Sequence, residues 1–177
     1  QLGQTRGGGG LDEAVRGADV LIGLSSKGRF TADHIRSMKP GSVVMALSMP
    51  EPEISVDEAL EAGADVFADG LPWTPNSMPN LHAYPGIARG LLDVRARGLN
   101  ENILMAAARA IAGAVDRKRL SKRHIVPDLF SDEVTPRVAE AVAQTAIAEG
   151  LAARPLPPKQ VYDETWQRLF GGIMATE

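Results

Sequence analysis

The stretch Ala18-Asp-Val-Leu-Ile-Gly-Leu24, closed by Ser25-Ser-Lys-Gly28, is a short apolar run between breakers. Its length and its glycine borders suit a strand buried on both faces, the kind a parallel sheet uses. The pattern recurs downstream. Ser42-Val-Val-Met-Ala-Leu47 reads as a second buried strand and Ala64-Asp-Val-Phe-Ala68 as a third, shorter one. Helices fit between them. Thr31 is an N-cap for a helix through Met38, which Pro40-Gly41 ends. Ser55, with Glu58 three residues on, opens another in a capping-box pattern, and Gly63 stands where a C-terminal glycine belongs. Leu11 to Arg16 reads as the end of a crossover helix. Strands alternating with short helices predict an α/β, doubly wound, mostly parallel sheet of Rossmann-like type.

Beyond the third strand the pattern changes. Asp69 to Tyr84 is rich in proline and predicts a long irregular loop, a form that is often functional. Pro85-Gly86 then opens a helix to about Arg97, Asn100 caps the next, and Thr135-Pro136 starts a third that runs to Glu149. Arg154 to Pro158 breaks the chain before a last amphipathic stretch with Val161, Thr165, Trp166, Leu169 and Phe170 roughly on one face. The expected organisation is a flexible segment over 1–10, a nucleotide-binding-type domain over 11–155 with a helical C-terminal part, and a helical tail over 156–177. The opening Gln1 is not an initiator Met, and the first strand reads like the middle of a fold. An N-terminally incomplete sheet from a larger protein is expected.

Composition excludes several functions. The 177 residues carry a net charge of -3, so no basic footprint asks for nucleic acid. The absence of cysteine excludes disulfides, thiol nucleophiles and thiolate metal sites. The longest near-apolar run, Ile103 to Val115, contains Arg109 and is too short for a membrane span. No basic-then-apolar leader precedes it, and a cytoplasmic location is expected.

A doubly wound sheet binds ligands beyond the carboxyl ends of its strands. This rule points to Gly23 to Gly28, Ser48 to Glu53 and Asp69 to Asn80. A G-x-G-x-x-G fingerprint is missing, and Gly7 to Gly10 follows no strand, so it reads as a flexible loop. Ser25 and Ser26 sit where a hydroxyl could bond a ribose or a carboxamide, or else only its own turn. Lys27 reads as an exposed turn lysine. His34, His82 and His124 are scattered without metal-ligand spacing, and only His82 falls in the long loop. Asp65 and Asp69 flank the third strand without converging on one substrate bond.

Several segments together resemble the malic enzymes. Ala18-Asp-Val-Leu-Ile-Gly-Leu-Ser25 with Gly28 and Phe30-Thr31 resembles a strand and turn of their nicotinamide-binding domain. Ala46-Leu47 with Pro50, Pro52, Glu53 and Ile54 is similar to the family's Ala-Leu-Ala-Asn-Pro-Thr-Pro-Glu-Ile segment. Pro75-Asn76, Asn80, Tyr84-Pro-Gly-Ile87, Arg89-Gly90 and Leu92-Asp-Val-Arg-Ala96 resemble the run that follows, and matches continue through Asn100-Glu101, Ile125-Val-Pro127, Pro136-Arg-Val138 and Gly150-Leu-Ala-Ala-Arg-Pro155. The resemblance covers about residues 11 to 155.

The resemblance implies oxidative decarboxylation of L-malate to pyruvate and carbon dioxide, with NAD or NADP and a divalent metal, Mg or Mn, in the parent enzyme. It implies that Gly23 and Ser25 line the cofactor and that Asn80 serves both cofactor and substrate. The family's Tyr/Lys acid-base pair, metal ligands and glycine fingerprint have no counterpart here, so no catalytic residue and no metal ligand is assigned. An upstream catalytic domain and a homo-oligomer are the expected partners, and this chain alone is expected to be inactive. Met49 and Pro79 stand where the family has asparagines. They leave open a non-catalytic module used for packing or oligomerisation, or a dehydrogenase of another 2-hydroxy acid.

Overall fold

The computed structural model describes residues 9–174, and most of the predicted flexible segment over 1–10 lies outside them. The chain divides into two compact units, Gln1–Ser77 and Met78–Glu177, and the division falls inside the segment expected to form one domain.

The first unit follows the order α1 (Leu11–Val15), β1 (Val20–Gly23), α2 (Ala32–Ser37), β2 (Val43–Ala46), α3 (Val56–Glu61) and β3 (Val66–Asp69). The strands form a parallel sheet in the order β1-β2-β3, with Gly23 opposite Ala46 and Ala46 opposite Asp69. This is a Rossmann-like arrangement, and the in-register strands bring all three carboxyl ends to one edge. Local chemistry places the helices as expected. Thr31 Oγ1 accepts from the His34 N–H, while His34 Nδ1 accepts from the Thr31 N–H, a reciprocal cap. Ser55 Oγ caps α3 by accepting from the Glu58 N–H at 3.3 Å, and Gly63 ends it at φ 109°, a conformation glycine adopts without a Cβ penalty.

The core of this unit joins Val15, Phe30, Ile35, Ala59 and Met38 to Val44, Ala46 and Phe67, the residues on one face of the sheet. Period-2 alternation puts Val20 and Ile22 on the other face, where they are 50% and 56% exposed. The expectation that the first strand is buried on both faces is thus not met. β1 lies at one edge of this sheet, and its Leu21 and Gly23 share the face of Val44 and Ala46 that packs on the helices.

The second unit is helical. A 3-10 turn (Asn80–His82) leads into α4 (Tyr84–Asp93), followed by α5 (Glu101–Gly113), α6 (Val134–Ala148) and α7 (Pro158–Met174). Asn100 Oδ1 caps α5 by accepting from the Ile103 N–H at 3.0 Å. α6 begins earlier than its sequence signal, with Glu133 at the N-cap and Thr135-Pro136 inside the first turn. Its buried stripe of Val138, Ala139, Val142, Ala143 and Ala146 packs with Ile103, Ala107 and Val161. α4 lies unusually close to α6. A Cβ added to Gly90 would meet the Ala139 carbonyl oxygen at 2.5 Å, and one added to Gly86 would meet Val138 Cβ at 2.5 Å. Buried Asp93 joins α4 to α7: Arg89 donates to it at 2.6 Å and Arg168 at 3.2 Å.

Candidate functional site

The strand ends of the first unit carry a buried carboxylate that organises them. β1 ends at Gly23 and β2 at Ala46, and the chain after each turns outward. Glu53 returns beneath both turns and is fully buried. Its Oε1 accepts from the Ser25 N–H at 2.7 Å and from Ser25 Oγ at 3.3 Å, and its Oε2 accepts from the Ser48 N–H at 3.2 Å. Ser48 Oγ closes the second turn by donating to the Glu51 carbonyl at 2.7 Å. Burial pushes the Glu53 carboxyl up, but the backbone N–H donors of Ser25 and Ser48 outweigh it. The carboxyl is held below the ordinary glutamate range and stays ionised.

Gly23 is required by this arrangement. A Cβ there would meet Glu53 Cδ at 2.5 Å and Phe30 Cζ at 2.7 Å, so the missing side chain makes room for the carboxylate. On the outer side Gly23, Ser25, Leu24 and Arg29 line a crevice of about 510 Å³ at the end of β1. Ser25 itself is exposed above its buried partner. The two predicted residues Gly23 and Ser25 are therefore brought together at one strand end. An ionised carboxylate only accepts, so Ser25 donates its hydroxyl hydrogen to Glu53 and turns an oxygen lone pair to the crevice. A ribose hydroxyl or a carboxamide N–H is the kind of group that this oxygen and this space fit.

The loop after β3 is anchored at its base. Buried Asp69 accepts from the Leu71 N–H at 3.0 Å and from Thr74 Oγ1. Asn76 Nδ2 donates to the Phe67 carbonyl at 2.8 Å, and Asp69 and Ser77 form a parallel bridge. Asp69 is a loop organiser, and it shares no site with Asp65. Lys27 pairs with Glu51 at 2.6 Å, both side chains being exposed, which matches a surface turn lysine. Met49 is 61% exposed beside these turns.

Asn80 belongs to the second unit. It is exposed, opens the 3-10 turn, and lines a cavity of about 510 Å³ with Leu81, Ala83, Tyr84, Pro85 and Ile87. His82, the loop histidine, is buried and has an unpartnered Nε2. Burial pushes its pKa below the ordinary histidine value, only partly offset by a backbone hydrogen bond with Asp128. Among the described residues no cluster of three or more His, Cys, Asp or Glu could hold a metal ion. No described helix is long and apolar enough to cross a membrane.

The sequence pointed to Ser25 through its position at a strand end, but not to Glu53 as its partner. The one available signal was a glutamate set between Pro52 and Ile54, five residues after Ser48, a charge with no reason to be buried except hydrogen bonding.

The sequence profile of the family "Malic enzyme, NAD binding domain" matches residues 2–147. The bifunctional malic/malolactic enzyme of Bacillus subtilis is 40% identical over 162 residues, covering 92% of this chain and 40% of that protein. The NADP-dependent malic enzyme of Halomonas elongata is 37% identical, covering 88% of this chain and 41% of that protein. Among solved structures, the malic enzyme of Pyrococcus horikoshii superposes with a TM-score of 0.85 at 37% identity, over 95% of this chain and 39% of its own. That of Entamoeba histolytica gives 0.88 at 35% identity, over 94% of this chain and 36% of its own. The chain thus spans about two-fifths of the length of these relatives. With a parallel sheet, a strand-end crevice and this match, it belongs to the malic enzyme family, within the NAD-binding domain.

Proposed function

We propose that this chain supplies one side of the nicotinamide-cofactor crevice in an NAD(P)-dependent malic enzyme. Such an enzyme converts L-malate to pyruvate and carbon dioxide with a divalent cation, Mg2+ or Mn2+. The Tyr/Lys acid-base pair and the metal ligands come from a part of the polypeptide outside this chain, which is inactive by itself. A cytoplasmic homo-oligomer is part of the same reading. The observation that carries it is the strand-end crevice in which Gly23 and Ser25 are fixed over Glu53.

The dinucleotide, when bound, supplies the hydride acceptor. This chain binds and orients it. Ser25 Oγ accepts from a ribose hydroxyl or the carboxamide, and Gly23 keeps the crevice wall free of side-chain bulk. Asn80 has an amide that both donates and accepts, so it suits a carboxamide or a substrate carboxylate equally.

The test is malate-dependent dinucleotide reduction by the full-length polypeptide with Mn2+, using NAD and NADP in turn. Turnover that Asn80→Ala lowers by about 100-fold, the scale of losing one aligned polar contact at a reacting centre, supports the reading. A folded polypeptide that binds dinucleotide but leaves malate untouched favours the second reading, a dehydrogenase of another 2-hydroxy acid. Exposed Met49, which offers no hydrogen-bond donor at a position where the family has asparagine, is the observation in its favour. No dinucleotide binding at all points to a non-catalytic module.

A further inference from the structure

We infer that Glu53 is the positioning residue of this crevice: its carboxylate joins the turns after β1 and β2 and fixes Ser25 as a hydrogen-bond acceptor toward the ligand. The inference rests on the cofactor reading above and adds to it the chemistry that Ser25 selects.

Three observations converge. Glu53 is the largest ionisable side chain fully removed from solvent in this unit, and no described cation pairs with it. A buried charge without a counter-ion is retained only where several hydrogen bonds replace its hydration. Its described donors, the Ser25 N–H, Ser25 Oγ and the Ser48 N–H among them, come from two strand-end turns, 28 and 5 residues away in sequence. One side chain therefore ties the two turns together beyond the point where the strand ends are joined by the backbone bond from the Leu47 N–H to the Gly23 carbonyl at 3.0 Å. The second observation is Gly23, whose missing Cβ is replaced in space by the Glu53 carboxyl. The strand end and the carboxylate are built for each other: Gly23 and Ser25 line the crevice, and Glu53 packs directly behind them rather than in a remote part of the core.

The third is the direction of the Ser25 hydroxyl. Its one described partner is the carboxylate below it at 3.3 Å, and the crevice lies open above. The hydrogen points down, and the lone pairs point up. A serine held this way favours a ligand group that donates, a hydroxyl or an amide N–H, and disfavours a phosphate oxygen, which would leave two acceptors facing each other. Ser25 is thereby assigned to the nicotinamide-ribose end of a dinucleotide and not to its pyrophosphate.

Glu53→Gln tests this without removing volume. The amide puts an N–H where either the Ser25 or the Ser48 N–H needs an acceptor. In this chain, hydrogen exchange of the Ser25 and Ser48 amides should quicken by about tenfold while amides in the middle of β2 keep their protection. In the full-length polypeptide, the Kd for reduced dinucleotide, read by nicotinamide fluorescence, should rise about tenfold, with KM rising more than kcat falls. Ser25→Ala, which leaves the N–H bond in place, should weaken binding by about threefold or more and keep the fold. The double variant should bind no worse than Glu53→Gln alone. A dinucleotide analogue with the carboxamide N–H replaced by methyl separates the two donors: if the carboxamide is the partner, Ser25→Ala no longer weakens binding of the analogue. If the ribose is the partner, the loss persists.

Unchanged affinity in a folded Glu53→Gln variant, or additive losses in the double variant, overturns the inference. So does unchanged affinity in Ser25→Ala, which decides the matter if Glu53→Gln fails to fold. A wild-type polypeptide without affinity for dinucleotide refutes the cofactor reading instead, and the exchange rates of Ser25 and Ser48 still decide whether Glu53 couples the turns.

Discussion

Gly90→Ala offers a test in which two physical effects predict opposite signs. Gly90 lies inside α4, and replacing a helix-interior glycine by alanine ordinarily gains about 0.5–1 kcal/mol. Burying the added methyl contributes about 0.8 kcal/mol more. Against this stands the contact with α6. The new Cβ would sit 2.5 Å from the Ala139 carbonyl oxygen and 2.8 Å from Val142 Cγ1. Val142 could rotate, but the carbonyl belongs to a helix backbone and cannot. Moving from 2.5 Å to an ordinary contact of roughly 3.4 Å requires α4 and α6 to separate by about 0.9 Å, along a seam that also holds Gly86. Separation loosens the packing of Val138, Ala139 and Val142, all fully buried, so the cost lies at or above the upper end of the ~1–3 kcal/mol seen for overpacked cores. The net expectation is a loss of about 2 kcal/mol, or roughly 4–8 °C in Tm for a chain of this size. Gly98→Ala is the control, since its Cβ would meet nothing within 4 Å. It should be neutral or raise stability by up to about 1 kcal/mol. Far-ultraviolet circular dichroism during heating reads both. A Gly90→Ala variant as stable as the wild type, or more so, would refute the close-approach argument.

Further expectations follow from the buried charges. Asp93→Ala should lower the denaturant midpoint by the equivalent of about 2 kcal/mol with an unchanged m value, because Arg89 and Arg168 lose a buried carboxylate but remain partly hydrated. Glu53 is held below its ordinary 4.5 in the folded chain. Its contribution is present above that value and disappears as pH falls through the lower folded pKa, so the stability difference between wild type and Glu53→Gln should shrink on acidification. His82 is shifted down from 6.5 by burial. The unfolded chain takes up this proton first, so the wild type should lose stability as pH drops below about 6.5, and His82→Phe should flatten that part of the profile. Equal slopes for the two proteins would count against a buried neutral imidazole.

The reading of the sequence succeeded where the signal is local. Thr31, Ser55 and Asn100 cap the helices they were expected to cap, because each bonds a backbone N–H three residues on. Short β-branched runs between glycines became strands for the same reason. The α6 start was misplaced because Thr135-Pro136 is a local signal that the fold overrides. Burial of Val134 and Pro136 extends the helix to a Glu133 cap without a side-chain bond. The exposed face of β1 was illegible, since an apolar run does not say how many of its faces are covered. Glu53 could not be found from spacing, since its partners at Ser25 and Ser48 meet it only after the strands align. The Tyr84-Pro-Gly-Ile87 and Arg89-Gly90 motif was recognised by resemblance, and the structure supplies its cause. Glycines one turn apart let α4 lie against α6, and Arg89 reaches the buried Asp93.

The division at Ser77 and Met78 has a spectroscopic consequence. The chain has two tryptophans, and one falls in each unit. Trp73 is 77% exposed on the loop after β3, while Trp166 is half-buried on α7 with its ring 5.9 Å from that of Phe170. Water around the first indole gives red-shifted emission that changes little on unfolding, whereas the second starts bluer and shifts as its packing is lost. Emission colour thus separates the melting of the helical unit from events near the crevice. Single Trp→Phe variants turn the chain into two one-probe proteins, in which the stability of each unit can be followed without a label.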